Sequence, residues 1–290
     1  MRGLPLPFEE RLARSYDRLS ARLRDAGDYV AQHPIDVASR SLRAVSEESG
    51  VAPATFSRLA RALDYENFEE LRDAMRCKIA RRVNGFADRA GRLQQDYGAG
   101  SDGFFTAHAA ACLGNVAQMA ETVDKAALRT VVERLHGARQ VMLFGALGST
   151  GIVEYLAYMA DFCMGNWRLL NRMGASIGAG LSDLGPGDAL MIVTKPPFSS
   201  AAARAAEMAH DQGAFVVVIT DTHACPALRH ASIHFIVPTE SPHFYSSYVA
   251  TLAFVEGLIG MLVGRAGRCA QERIATVEES NRRLREVSGG

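Results

Sequence analysis

Beyond residue 140 the chain contains four short runs that are apolar almost throughout, each followed by a turn or by helical spacing. This alternation constrains the fold more than any other feature of the sequence. The runs are Val141–Phe144, Ala189–Thr194, Phe215–Thr220 and Ile233–Val237, with helical stretches at Ala201–Asp211 and Tyr245–Val263. A strand that is apolar on both faces must be covered on both, and strands alternating with helices pair in parallel. The expected fold for this region is therefore a parallel-sheet, doubly wound α/β domain.

The first 80 or so residues have a different rhythm. Apolar positions recur at three and four, with no alternating strand pattern. Leu12, Leu19, Leu23 and Val30 predict one helix ended by Pro34, Leu42–Ser49 a second stopped at Gly50, and Pro53 onward a third, with Phe68, Leu71, Met75 and Ile79 continuing helically. Residues 84–102 are rich in Gly, Asp, Gln and Arg, and Tyr97–Gly103 is the strongest break in the chain. The expected organisation is a helix-turn-helix domain over 1–82, a linker over 83–103, an α/β domain over 104–267, and a C-terminal amphipathic helix over 268–290 carrying Ile274, Val277 and Leu284.

Leu42 to Leu63 has the form of two helices joined by a short turn containing glycine, the arrangement that places a second helix in the DNA major groove. Leu42, Val45, Val51, Phe56 and Leu59 suit a small core, while Pro53, Ala54, Ser57, Arg58 and Arg61 face outward. Arg58 suits a bidentate contact to guanine, worth ~1–3 kcal/mol of discrimination, and Thr55 and Ser57 suit phosphate oxygens. The same pattern also fits a helical hairpin with solvated arginines.

The run Ser41-Leu42-Arg43-Ala44-Val45-Ser46-Glu47-Glu48-Ser49-Gly50-Val51-Ala52-Pro53-Ala54-Thr55-Phe56-Ser57-Arg58-Leu59-Ala60-Arg61-Ala62-Leu63, with Tyr65 and Phe68 after it, resembles the N-terminal domain of RpiR-type transcriptional regulators. The resemblance covers the whole chain and implies that a sugar isomerase (SIS) type domain follows. Two positions depart from the pattern. Ala52 stands where the family usually has Ser, a loss of ~1 kcal/mol of helix capping, and Asp64 stands where Gly is common, a residue that still tolerates the left-handed conformation.

In the second domain, Gly145, Gly148, Ser149 and Thr150 form a G-x-x-G-S turn between a buried strand and a helix, which presents N–H groups and hydroxyls to an anion. Tight packing alone also calls for glycine there. Resemblance to SIS domains implies a second phosphate-holding loop after the next strand, where this chain reads Thr194-Lys195-Pro196-Pro197-Phe198-Ser199-Ser200. The two prolines stand where a serine and a glycine are expected, and neither donates a backbone N–H. Thr194, Lys195, Ser199 and Ser200 remain as candidate donors, with Ser199 placed to cap the following helix. The expected effector is a small anionic metabolite, a carboxylate or sulfonate rather than a common sugar phosphate.

Net charge is zero, from 32 basic and 32 acidic side chains, so bulk charge announces no partner. The five cysteines include no C-x-x-C pair, which suits reduced thiols. His223, His230 and His234 could meet near strand ends, but no metal, cofactor or catalytic set is expected. Glu154, Glu240 and Glu256 are the acid–base candidates by location. Apolar runs such as Ala214–Thr220 are too short for a bilayer, and Met1–Arg14 lacks the apolar stretch of a secretory signal, so a cytoplasmic protein without a membrane partner is expected. The reading is a ligand-responsive regulator that binds a double-stranded DNA operator as a homodimer or homotetramer. The alternatives are an SIS-class sugar-phosphate isomerase with a helical extension, and a protein-interaction module using residues 1–80.

Overall fold

The computed structural model describes residues 8–83, 86–98, 103–170 and 176–286. The chain divides into two compact units, Met1–Gly98 and Ala99–Gly290.

The first unit is entirely helical. In order come α1 (Phe8–Ser15), a 3-10 turn at Tyr16–Arg18, α2 (Ala21–Gln32), α3 (Pro34–Ser39), α4 (Leu42–Ser49), α5 (Pro53–Ala62), α6 (Phe68–Val83) and α7 (Phe86–Gly98). The single helix expected over Leu12–Val30 is two. Ser20 adopts an extended backbone and its carbonyl accepts from Leu23 and Arg24, starting α2 afresh. Pro34 does not simply end a helix; it occupies the first position of α3, where its missing N–H costs nothing. Val30, Val37, Val45, Phe56, Leu59, Leu63, Leu71 and Met75 are buried together in one core. The Phe56 ring meets Tyr29 and Phe68 edge-on at 6.2 and 5.9 Å, and truncating such a residue to alanine typically costs about 3–5 kcal/mol. The stretch expected as a linker holds α7, in which Ala87, Ala90, Leu93 and the arginines are among the residues least costly in a helix and Gly91 is the one that costs ~1 kcal/mol.

The second unit opens with α8 (Gly103–Thr122) and α9 (Lys125–His136), then runs β1 (Val141–Gly145), α10 (Thr150–Cys163), β2 (Trp167–Leu169), α11 (Ile177–Ser182), β3 (Ala189–Val193), α12 (Ser200–Asp211), β4 (Phe215–Thr220), β5 (Ile233–Ile236), α13 (Val249–Ala266) and α14 (Arg268–Leu284). All five strands are parallel, in the order β2-β1-β3-β4-β5. Val141, Leu143, Met191, Val193, Val217 and Ile219 face a core shared with α9, α10 and α13. Met142, Phe144, Leu190, Ile192, Val216 and Val218 face the α12 side, where Ala202, Ala205, Ala206 and Ala209 allow close approach. Both faces are covered, which is why these strands carry no polar alternation.

α13 is mainly apolar over its 18 residues, with mean hydropathy 1.6, interrupted by Glu256 and Arg265, and is a longer apolar stretch than any strand. It packs on α8, α9 and α10 and buries Phe254, Val255, Leu258 and Leu262. α14 rests on α10 through Ala270 and Ile274, and the Arg273 guanidinium donates to the Asp161 carbonyl at 2.9 Å. Leu284 stays exposed.

Candidate functional site

Strand order reverses between β1 and β3: the chain leaves β1 outward to β2, then returns past it to β3. In open α/β sheets this switch point opens a crevice at the carboxyl ends of the two strands. The loops that emerge there are the two singled out from sequence, Ala146–Ser149 after β1 and Thr194–Ser199 after β3.

Gly145 is buried, and a Cβ there would come within 2.6 Å of the Ser149 carbonyl oxygen and 2.8 Å of Val153, so its part is to let the turn close. Leu147, exposed, takes the left-handed conformation at φ 55°, uncommon outside glycine. Gly148 lies under Tyr245, whose Cε1 would be 2.9 Å from an added Cβ. The Ser149 hydroxyl is buried 2.9 Å from the Tyr248 hydroxyl, and Thr150 donates to the Gly145 carbonyl at 3.5 Å.

Lys195 is 4% exposed. It continues the face of β3 that carries Met191 and Val193, so it turns toward α13. There its ammonium donates to the Thr251 hydroxyl at 2.6 Å and lies 4.7 Å from the centre of the Tyr248 ring. Burial draws the pKa of Lys195 down to about 8, with the Asp221 carboxylate opposing the shift. Burial likewise pushes Tyr248 up to about 12, against the hydrogen bond from Ser149. Asp221, past the end of β4, accepts from Thr239 at 2.9 Å. One buried cation and several hydroxyls thus line the α13 side of the crevice, a set suited to an anion bearing hydrogen-bond acceptors.

The structure brings Ser149 and Lys195 together through Tyr248. Thr194 is buried. Ser199 sits at the N-cap of α12 and its carbonyl accepts from Ala202, but the expected side-chain cap does not form, the hydroxyl making no bond to the first turn. Ser200 is exposed and accepts from Arg204 at 3.2 Å. Tyr245, Tyr248, Thr251 and Asp221 were not anticipated. The signal available was the pair Tyr248 and Thr251, polar residues three apart at the start of an otherwise apolar helix.

Glu154 and Glu240 are exposed, and Glu256 accepts from Tyr155 at 2.8 Å; among the described residues none is bonded to the crevice hydroxyls or to Lys195. The rings of His223 and His234 lie 5.8 Å apart, and no group of three metal-ligating side chains occurs among the described residues. Cys112, Cys163, Cys225 and Cys269 are free thiols.

In the first unit, Ser41 caps α4 by accepting from the Ala44 N–H. Gly50 takes φ 69°, the Ser46 hydroxyl donates to the Val51 carbonyl at 2.7 Å, and Val51 N–H donates to the Ser49 hydroxyl at 3.2 Å. This fixes a three-residue turn between α4 and α5. Phe56, Leu59 and Ala60 turn inward; Pro53, Ala54, Arg58 and Arg61 are exposed, and Thr55 and Ser57 are half-buried. The Ser57 hydroxyl donates back to the Pro53 carbonyl at 3.4 Å. Ala52 provides no side-chain cap, and Asp64 takes the left-handed conformation at φ 59°. Arg43 pairs with Glu47, and Arg40 with Asp36 and Glu48, whereas Arg58 and Arg61 are held by no acidic partner among the described residues.

Residues 134–261 match the family model of the SIS domain. The fold is similar to that of the Vibrio vulnificus NanR protein complexed with ManNAc-6P, at 20% identity and TM-score 0.57, covering 96% of this chain and 98% of that one. It is also similar to the sugar isomerase domain of an RpiR transcription factor from Sphaerobacter thermophilus, at 20% identity and TM-score 0.57, over 63% of this chain and 99% of that one. A Listeria monocytogenes protein assigned as a sugar-phosphate isomerase matches at 16% identity and TM-score 0.50, over 60% of this chain and 92% of that one. No curated protein matches the chain. A helical N-terminal unit followed by a SIS domain is the arrangement expected from the resemblance to RpiR-type regulators.

Proposed function

We propose that this protein is a ligand-responsive, DNA-binding transcriptional regulator, acting in the cytoplasm on a metabolic operon. The observation that carries the reading is the exposed face of α5: Arg58 and Arg61, with no acidic partner among the described residues, stand behind the exposed N-terminal turn of a helix set at a three-residue turn. Fold likeness to NanR along nearly the whole chain supports it. Arg58 reads a base edge, Arg61 and the hydroxyls of Thr55 and Ser57 meet the backbone, and Pro53 and Ala54 make the close approach. Half-burial of Thr55 and Ser57 makes them the weaker contributors.

The effector enters the crevice between β1 and β3, held by Gly148, Ser149, Thr150 and Lys195. Its binding shifts the placement of two DNA-reading units in a dimer or tetramer. A single buried ammonium balances a single negative charge, and Pro196 and Pro197 withhold two backbone donors. The effector class is therefore a small carboxylate or sulfonate rather than a phosphate dianion. None of the acid–base candidates Glu154, Glu240 and Glu256 is bonded to the crevice hydroxyls or to Lys195 among the described residues, which favours sensing over isomerase chemistry.

Selection of double-stranded genomic fragments by the full-length protein, followed by gel-shift titration, tests the reading. Enrichment of one sequence, with affinity reduced at least about tenfold by Arg58→Ala in a folded protein, is expected. Failure to enrich any sequence, or unchanged affinity of the variant, overturns it.

A further inference from the structure

The crevice is covered by the chain itself. Between β5 and α13, Ser247 N–H donates to the Thr239 carbonyl at 3.1 Å, so residues 239–247 close on themselves in the manner of an Ω-loop. On the crevice side Tyr245 covers Gly148, Thr239 is bonded to Asp221, and Tyr248, just past the loop, holds the Ser149 hydroxyl. On the other side α8 grips the same loop. The buried Asn115 amide donates to the Glu240 carbonyl at 2.7 Å and accepts from the Glu240 N–H at 3.1 Å, taking both backbone groups of one residue. His108 Nδ1 lies 2.9 Å from the Ser241 hydroxyl, and Cys112 Sγ 3.4 Å from the Ser247 hydroxyl. The His243 ring packs on Phe104 and His108 at 6.2 and 5.9 Å.

We propose that the 239–247 loop is a movable cover over the crevice and that Asn115 ties its position to α8, the first helix of the second unit. The inference rests on the crevice being the effector site and adds how its occupancy is relayed. A ligand that replaces Tyr248 at the Ser149 hydroxyl frees that ring, and any group set as close above Gly148 as a methyl would be must displace Tyr245. Because the loop is closed by its own hydrogen bond, displacement at one side moves it as a body. A two-point amide bond resists slippage: letting loop and helix part would leave a buried amide and a backbone pair unsatisfied together, so the helix follows the loop. Asn115 is a positioning residue and touches no ligand.

Hydrogen–deuterium exchange on the full-length protein, with no ligand added, tests the coupling. In Gly148→Ala the new methyl evicts the Tyr245 side chain and mimics an occupied crevice. Exchange should rise on the order of tenfold in 239–247 and also in residues 104–115 of α8. Adding Asn115→Ala should confine the change to the loop, and Asn115→Asp, which keeps the acceptor for the Glu240 N–H, should retain part of it and serves if the alanine variant does not fold. Three results overturn the proposal: no loosening of the loop in Gly148→Ala, loosening of the loop with α8 unaffected, or loosening of α8 that persists undiminished without Asn115. Calorimetry on the unsubstituted protein addresses the effector reading separately, so a crevice that binds no anion and a loop that fails to move α8 are distinguishable results.

Discussion

Lys195 and Thr251 meet ammonium to hydroxyl at 2.6 Å, where β3 ends against the first turn of α13. A lysine buried in this way leaves a mark on stability. With its pKa drawn to about 8, folded Lys195 releases its proton between about pH 8 and its ordinary value of 10.5, while the unfolded chain keeps that proton. The unfolded state binds more protons in that window, so stability rises with pH, by ~2 kcal/mol between about pH 8 and 10. Tyr248, pushed up to about 12, reverses the trend above about pH 10, because the unfolded tyrosine ionises first and the folded state then binds more protons. Urea midpoints followed at the single tryptophan, Trp167 in β2, should rise and then fall across this range, and Lys195→Met should flatten the rise.

Ala52 stands at the N-cap of α5 with φ −60° and ψ 144°, a backbone that suits a capping serine, yet offers no oxygen to the first turn. Ala52→Ser should stabilise the first unit by about 0.5–1 kcal/mol. Thermal unfolding of the full chain monitored in the far ultraviolet checks it, and a lowered midpoint would show that the turn does not tolerate the hydroxyl.

The chemistry of the crevice sets an order of affinities. Calorimetry with small carboxylates and sulfonates beside hexose and pentose phosphates should show tighter binding of the monoanions, weakening as pH rises through about 8, where Lys195 loses its charge. Ser149→Ala and Lys195→Met should each reduce that binding by roughly tenfold or more. Micromolar binding of a sugar phosphate, lost in Ser149→Ala but indifferent to position 195, would count decisively against the monoanion assignment.

A helix-turn-helix reader of a single major groove contacts too few base pairs for operator specificity, so the proposed function predicts two copies acting together. Phe105 and Leu113 lie two turns apart on α8 at 78% and 72% exposure, and Leu284 on α14 is 70% exposed, apolar positions that a second copy would cover. Light scattering at micromolar concentration should return a dimer or tetramer; a monomer, with and without DNA, would refute it.

Much of this molecule could be read from its residues. β1, β3 and β4 were legible because burial on both faces leaves their strands almost without polar positions, β5 because Ile233–Val237 is apolar but for His234, and Leu42–Leu63 because Gly50 and Pro53 punctuate it at the turn. β2 escaped because three residues, Trp167-Arg168-Leu169, are too few to show a period. Pro34 reads equally as an ending and a beginning, and only the packing of α3 on α6 decides between them. In the crevice, the glycine turn and Lys195 announced themselves, whereas Tyr248 and Thr251 contribute from a helix that looks like ordinary core. Their partners, Ser149 and Lys195, lie 99 and 56 positions away, so proximity comes from topology alone.

The brevity of β2 has a consequence for assembly. A sheet invites a second sheet to join it along any border where a long row of N–H and C=O groups is left without a partner. Here one border strand is three residues long and turns the exposed Arg168 outward, and the other, β5, is four residues long with His234 exposed. Neither offers a neighbouring copy enough backbone to continue the ladder. Copies of this chain are thereby steered away from strand-to-strand aggregation, which leaves the helices as the broader surfaces through which they would meet.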